Sequence, residues 1–327
     1  YLKEFSDILK FDKNNYFRLN LKYFKHHTDK NFKYSFGDGI PKFNDLFSDH
    51  FVKTFGKPRQ IDGEIEQKHM DIASSMQKHF EDVIIKILNN LYDSKKNENL
   101  CLAGGCAFNS KLNGLIKEKT NFKNIFIQPN AGDGGGSVGA AFYLNSIYGH
   151  KIENKNKVYL GPKFSNEEIE KVIKDRKDLD GFKINKVSDD EIYFKTALKL
   201  SNNLIIGWFK GRMEWGPRAL GNRSILANPK NKNIKDVLNL KIKLRERFRP
   251  FAPAVLYDQK EKYFDIDYHS PFMLNVVDAK TTAINDIPAV VHVDNTCRVQ
   301  TVKKEENLHF FHLITKFKEI TGIPILL

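Results

Sequence analysis

Cysteine is scarce: Cys101, Cys106 and Cys297 are the only three in 327 residues. Their spacing matches neither a metal knuckle nor a redox Cys-x-x-Cys pair. That leaves them as small buried fillers in a reducing compartment, with no structural disulfide expected. Long apolar runs are missing too. No stretch of about 18 apolar residues occurs, so no segment reads as a membrane-spanning helix and a membrane is not an expected partner. No internal repeat of solenoid period is visible. The chain opens at Tyr1 with neither a methionine nor a signal-like start, and it closes just inside an apolar strand beginning at Ile325. Both ends therefore read as cuts in a longer protein, expected to be cytoplasmic.

What is present is an ordinary globular composition, 41% hydrophobic and 28% charged, long enough for two domains. The formal net charge is +13, which predicts attraction to polyanions: nucleic acid, a charged surface or phosphorylated small molecules. Much of the lysine lies among asparagines, as in 151–157, and reads as solvated surface.

The first 60 residues are aromatic and Lys-rich, and read as short strands and loops. From about 66 to 92 the pattern turns helical, with Ile72, Met76, Phe80, Val83, Ile87 and Leu91 forming one apolar stripe. Two strand–turn–helix units follow: a strand at 100–103 with a helix at 107–117, and a strand at 125–127 with a helix at 137–148. Strands alternating with helices predict an α/β sheet. The polar segment 151–157 reads as a linker. Beyond it are expected a helix from about Asn166, a strand at 204–209 and a helix near 234–244. Strands at 252–256, 272–277 and 289–293 and a helix at 309–320 complete the second domain.

Four segments carry chemistry. In Ala103-Gly104-Gly105-Cys106-Ala107-Phe108-Asn109, glycines between strand and helix let a ligand approach the backbone, and the helix end offers N–H groups to a phosphate or ribose. Asn109 and Asn113, one turn apart, are candidates to bond a sugar or base. Tight packing of the turn explains the glycines equally well. In Asn130-Ala131-Gly132-Asp133-Gly134-Gly135-Gly136-Ser137, a carboxylate among glycines points to a metal or a metal-bound phosphate. The competing role for Asp133 is to cap the helix near Gly136. Two such turns are typical of an actin-like nucleotide cleft.

The densest segment is 211–224, with Arg212, Arg218 and Arg223 among glycines and Pro217, ending at Ser224. A second basic cluster holds Lys243, Arg245, Arg247 and Arg249, interleaved with Phe248, Phe251 and Pro253. Guanidinium forks bind phosphate or carboxylate in bidentate fashion, and the interleaved aromatics argue for a buried anion site over a solvated basic face. Last, His292, Asp294, Thr296, Arg298 and Gln300 alternate with apolar residues and are expected to share one face of a strand and turn. His309 and His312, one turn apart, offer a weaker hint of metal ligation.

Together these segments resemble the carbamoyltransferases of the NodU and TobZ family. The likeness runs from about 56 to 327 and includes Gly56-Lys57-Pro58-Arg59, Asp71-Ile72-Ala73, Gln77, 103–109, 132–141, 207–229, 243–256 and 292–302. The resemblance implies part of an actin-like carbamoyl-transfer domain over 1–155, followed over 156–327 by a YrdC-like domain that forms carbamoyl-adenylate from carbamoyl phosphate and ATP. Arg218, Lys243, Arg249 and Arg298 match the anion-binding positions of the second domain, with Arg212, Arg223, Ser224 and His292 as further substrate contacts. In the first, Gly104, Gly105, Asn109 and Gly132 would hold the nucleotide, and Asp133 would ligate a divalent metal of the iron or magnesium class. The family's paired histidine ligands are expected upstream of Tyr1. The acceptor would be a hydroxyl on a sugar or natural product, nucleic acid is not the expected partner, and a homodimer stays open. Asn295 stands where the family has glycine, a change tolerated because Asn accepts left-handed backbone. Two other readings compete: a sugar-kinase-like ATPase, and an RNA-binding or tRNA-modifying protein of the related threonylcarbamoyl class.

Overall fold

A computed structural model gives the fold and describes residues 1–14, 16–28, 34–37, 39–60, 63–151, 158–179 and 181–327. Apart from Lys151, the expected linker at 151–157 lies outside the described residues. The chain divides into two compact units, Tyr1–Leu100 with Ile116–Asn124, and Cys101–Leu115 with Ile125–Leu327. Each mixes short helices with small sheets, the α/β composition expected. The boundary read near 155 lies outside the described residues, and 101–115 packs in the second unit. Asn113 Nδ2 donates to Leu274 O at 2.9 Å, and a Cβ on Gly114 would lie 1.9 Å from Val276 O.

In the first unit, two antiparallel hairpins join Leu9–Asp12 to Tyr16–Leu19 and Tyr34–Gly37 to Ile40–Phe43. Helices Leu2–Ile8 and Asp49–Phe55 accompany them. The second of these helices begins where Ser48 accepts from the Phe51 N–H. It carries Phe51 and Phe55, whose rings lie 4.6 Å apart between centroids, and Phe5 completes this aromatic core. The long helix runs over Gln67–Lys95. Of its expected stripe, Val83 is buried, Ile72, Phe80, Ile87 and Leu91 are half-buried, and Met76 is exposed; Leu88 supplies the other buried apolar contact.

The second unit is built on a three-stranded sheet. Its central strand, Ala254–Leu256, runs parallel to Gln300–Val302 and antiparallel to Ile325–Leu326. All eight residues of these strands are buried, as a sheet covered on both faces requires. Helices Asp189–Ser201 and Leu308–Thr321 pack on each other through a core that includes Tyr193, Ala197 and Leu200 on one and Leu313, Ile314 and Phe317 on the other. The helix Asp189–Ser201 was not among the sequence expectations. Its signals are local: Ser188 accepts from the Glu191 N–H, three acidic residues fill the first turn, and residues 193, 197 and 200 form one stripe.

The helix expected near 234–244 is Ile234–Val237 continued by a π-turn, Leu238–Ile242. The strand expected at 289–293 is instead a turn, with Val290 N–H bonded back to Ile287 O; Ala289 and Val290 are buried because that turn sits against the core. The expectation of three buried cysteines also fails. Cys297 alone is buried, while Cys101 and Cys106 are exposed free thiols.

Candidate active site

The segment 211–224 is organised from within by a carboxylate. Glu214 is buried, and its Oε1 accepts from the N–H groups of Leu220 at 2.7 Å, Asn222 at 2.8 Å and Arg223 at 3.2 Å. Such a charged acceptor gathers the backbone into a tight loop. Gly221, at φ +99°, closes it; a Cβ there would lie 2.2 Å from the Phe310 ring. Sequence reasoning gave Glu214 no role, because its three partners are backbone groups that no motif displays.

The three arginines of this loop meet different fates. Arg223, expected as a substrate contact, is turned onto the backbone. Its guanidinium donates to the carbonyls of Lys210, Asn222, Pro162 and Gly211 at 2.9–3.3 Å and lies 3.5 Å from the centre of the Phe209 ring. With both terminal nitrogens on backbone carbonyls, it clips the loop together. Ser224 Oγ likewise accepts from the Gly221 N–H. Arg212 is exposed, donates to Gly161 O, and lines a cleft of about 720 Å³ together with Tyr159, Phe272, Gln300, Lys303 and Asn307.

Arg218 is different. It is half-buried, its Nε is out of water without a hydrogen-bond partner, and it forms no ion pair among the described residues. Arg298 matches it: again half-buried, again with an orphaned Nε. Burial first, then the charges of Arg218 and Arg245, push the Arg298 guanidinium down to about 10; burial alone pulls Arg218 down. Arg218 and Arg245 thus act on Arg298, and the bond from Gln300 Nε2 to Leu220 O at 3.0 Å ties the loop that carries Arg218 to the strand that follows Arg298, in one partly desolvated, anion-seeking region. Arg245 is held there by Asn239, a fully buried residue whose Oδ1 accepts from Arg245 Nε at 2.8 Å and whose Nδ2 donates to Arg247 O and Arg249 O.

The rest of the second basic cluster is exposed. Lys243 is at the surface, and Arg249 pairs with Glu246 at 2.9 Å in solvent. The structure therefore draws Arg218, Arg245 and Arg298 together and leaves Lys243 and Arg249 outside the buried set.

The polar alternation from His292 to Gln300 does not form one face. Residues 292–295 make a turn, with Asn295 at φ +58° as its identity allows. Thr296–Arg298 pairs with Val276–Asp278, and the chain then changes sheets at Val299, so Gln300 is buried, donating to Leu220 O. Within the turn, His292 Nδ1 lies 3.0 Å from Thr296 Oγ1, Thr296 donates to Asp294 Oδ1 at 2.7 Å, and Asp294 pairs with Lys111 at 3.1 Å. His292 Nε2 is buried without a partner.

At the glycine turns, Gly104 takes φ +99° and its N–H donates to Ala131 O at 2.7 Å, which ties the two turns together. Gly105 opens a single 3-10 turn, Gly105–Phe108. Asn109 caps the next helix, accepting from the Leu112 N–H, while the buried Asn113 donates to Ala107 O and Leu274 O. Both of these bonds use the Asn113 amide nitrogen, and its Oδ1 is buried without a partner. Gly132 precedes the short helix Asp133–Gly135, and Asp133 is exposed. It does not cap the helix Gly136–Ile147, which has no side-chain cap bond. As a metal centre the residues do not suffice. Asp133 is one carboxylate, and among the described residues no group of three or more His, Cys, Asp or Glu is placed to hold an ion. His309 bonds Tyr193 Oη instead. No described helix is long and apolar enough to cross a membrane.

Two family models match the chain: the carbamoyltransferase N-terminus over residues 2–142 and the carbamoyltransferase C-terminus over 197–327. An uncharacterized protein of Synechocystis sp. is 39% identical over 95% of this chain and 52% of its own length. Nodulation protein NolO of Bradyrhizobium diazoefficiens is 37% identical over 80% of this chain and 48% of its own. Nodulation protein U of Rhizobium fredii is 34% identical over 70% and 37%. The chain thus spans about half the length, or less, of these relatives. With both family models matched in order along the sequence, this chain belongs to the carbamoyltransferase family.

Proposed function

We propose that this chain is part of an ATP-dependent O-carbamoyltransferase. In this reading the C-terminal part is YrdC-like and makes carbamoyl-adenylate from carbamoyl phosphate and ATP, with loss of phosphate and pyrophosphate. The N-terminal part is then one portion of an actin-like domain that passes the carbamoyl group to a hydroxyl of a sugar or natural product. The observation that carries the reading is the pair of buried, unpartnered guanidinium Nε atoms of Arg218 and Arg298. A buried donor left unsatisfied costs about 1–3 kcal/mol, and two of like charge in one region are sustained most readily where an anionic reactant meets them.

Both substrates are phosphorylated anions. Arg218 and Arg298, with Arg245 behind them, would hold phosphate oxygens and offset the charge that builds on the α-phosphate during attack, where fixed donors in a dry site act most strongly. Lys243 and Arg249, at the surface, would attract the reactants at the rim. Arg212 and Ser224 stand further along the same loop, Ser224 keeping its O–H free to donate. Gly104, Gly105, Asn109 and Gly132 would seat the nucleotide for the transfer step by close backbone approach. A divalent metal beside Asp133 would need ligands beyond these residues.

Incubating the full-length protein with ATP and carbamoyl phosphate tests the reading. Pyrophosphate should be released only when both are present. Release from ATP alone, or salt-sensitive tRNA binding without any carbamoyl-phosphate dependence, would overturn it.

A further inference from the structure

The turn at 292–296 contains a directed chain of hydrogen bonds. Thr296 has one hydroxyl proton, and it goes to Asp294 Oδ1, 2.7 Å away. Asp294 is held to that task by Lys111. The Thr296 oxygen can therefore only accept from His292 Nδ1, 3.0 Å away, so Nδ1 carries the imidazole proton. The other nitrogen, Nε2, is left as a bare lone pair, and it is buried without a partner. Arg298, one of the two orphaned guanidiniums, stands two residues beyond Thr296 on the same face of the strand Thr296–Arg298, so the face on which Thr296 meets His292 also carries Arg298.

A residue serving only to close the turn would not need this. The backbone bonds His292 N–H to Thr296 O and Asn295 N–H to His292 O already close it. The chain Lys111–Asp294–Thr296 fixes the tautomer, and the fixed tautomer leaves a proton acceptor at Nε2 on the side of the strand that carries Arg298.

We propose that His292 is the general base of adenylate formation, taking a proton at Nε2 from the water that attacks carbamoyl phosphate. The inference rests on the function proposed above. Making carbamoyl-adenylate with release of both phosphate and pyrophosphate consumes one water. Its oxygen bonds to the carbamoyl carbon as the bond from that carbon to the phosphate oxygen breaks. One water proton goes to His292 Nε2, and the other leaves on phosphate as HPO₄²⁻. The carbamate formed then attacks the α-phosphate of ATP and expels pyrophosphate, which takes the proton from His292 and resets the base.

The surroundings keep the imidazole neutral and ready. Burial first, then the positive charges of Arg298, Lys235 and Lys111, hold its pKa below the ordinary imidazole value, against the opposing pull of Asp294. The acid limb of the rate profile is therefore expected below the usual histidine range, with activity lost as pH falls through it.

The test is His292→Asn in the full-length enzyme. The Asn amide can still donate to Thr296 from near the Nδ1 position but supplies no base. Pyrophosphate release from ATP and carbamoyl phosphate should fall by about 10²-fold or more in kcat, the acid limb should vanish, and the KM for carbamoyl phosphate should stay within a few-fold. A second variant, Asp294→Ala, frees the Thr296 hydroxyl to donate to Nδ1 and releases the tautomer. It should lower kcat while an acid limb persists at a shifted pH. If His292→Asn is folded by thermal melt and retains the wild-type rate or acid limb, the base assignment is wrong. If His292→Asn does not fold, an Asp294→Ala enzyme with an unchanged rate and pH profile overturns the assignment in its place. Should the wild-type enzyme itself release no pyrophosphate, it is the proposed function that fails.

Discussion

Two arginine-rich stretches of the second unit look alike in sequence and end in opposite environments. Of the guanidiniums in 211–224 and at Arg298, all but the exposed Arg212 are folded inward: Arg223 onto four carbonyls and an aromatic ring, Arg218 and Arg298 into a region with orphaned Nε atoms. In 243–249 only Arg245 turns in. Arg247 and Arg249 meet Asp236 and Glu246 at the surface. The difference lies in what satisfies each guanidinium. A partner of opposite charge in water makes an ordinary surface ion pair worth little, a set of carbonyls makes a clip, and no partner at all makes a candidate ligand contact.

The largest effect that would sharpen this contrast is at Arg298. Arg298→Ala should lower kcat for pyrophosphate release by about 10²–10³-fold, the scale of losing one preorganised donor at a developing charge. The folded state should hold or gain stability, because an unpaired buried charge is removed. A melting curve alongside the assay reads both. Arg223→Ala should do the reverse. Loss of its carbonyl bonds and its stacking on Phe209 should destabilise the protein by about 1–3 kcal/mol in denaturant unfolding, with kcat in the folded fraction changed less than about tenfold. Similar kinetic and stability losses in both variants would erase the distinction between clip and ligand contact.

Much of the site was legible in the sequence, and the illegible part has physical reasons. The glycine turns, the strand at 125–127, the helix at 309–320 and the left-handed Asn295 follow from local backbone preference, which sequence displays directly. Gln300 does not share a face with His292, because alternation along the sequence implies one continuous strand and the change of sheet at Val299 is a tertiary event. Arg223 and Arg218, five residues apart, could not be told apart beforehand, since the carbonyls that hold Arg223 come from as far away as Pro162. Cys101 and Cys106 misled through composition: scarce cysteine suggests burial, yet both sit exposed at the strand and turn before the helix Ser110–Lys119. The helix Asp189–Ser201, by contrast, had its cap and stripe in plain view.

The central claim is that Arg218 and Arg298 hold phosphate groups out of water, and calorimetric titration of pyrophosphate tests it most directly. Wild type should bind with an affinity that Arg298→Ala lowers by about 10-fold to 200-fold, equivalent to about 1.5–3 kcal/mol for a charged hydrogen bond, while Arg249→Ala changes it by less than about fivefold. Equal binding in wild type and Arg298→Ala, or a loss confined to Arg249→Ala, would contradict the account.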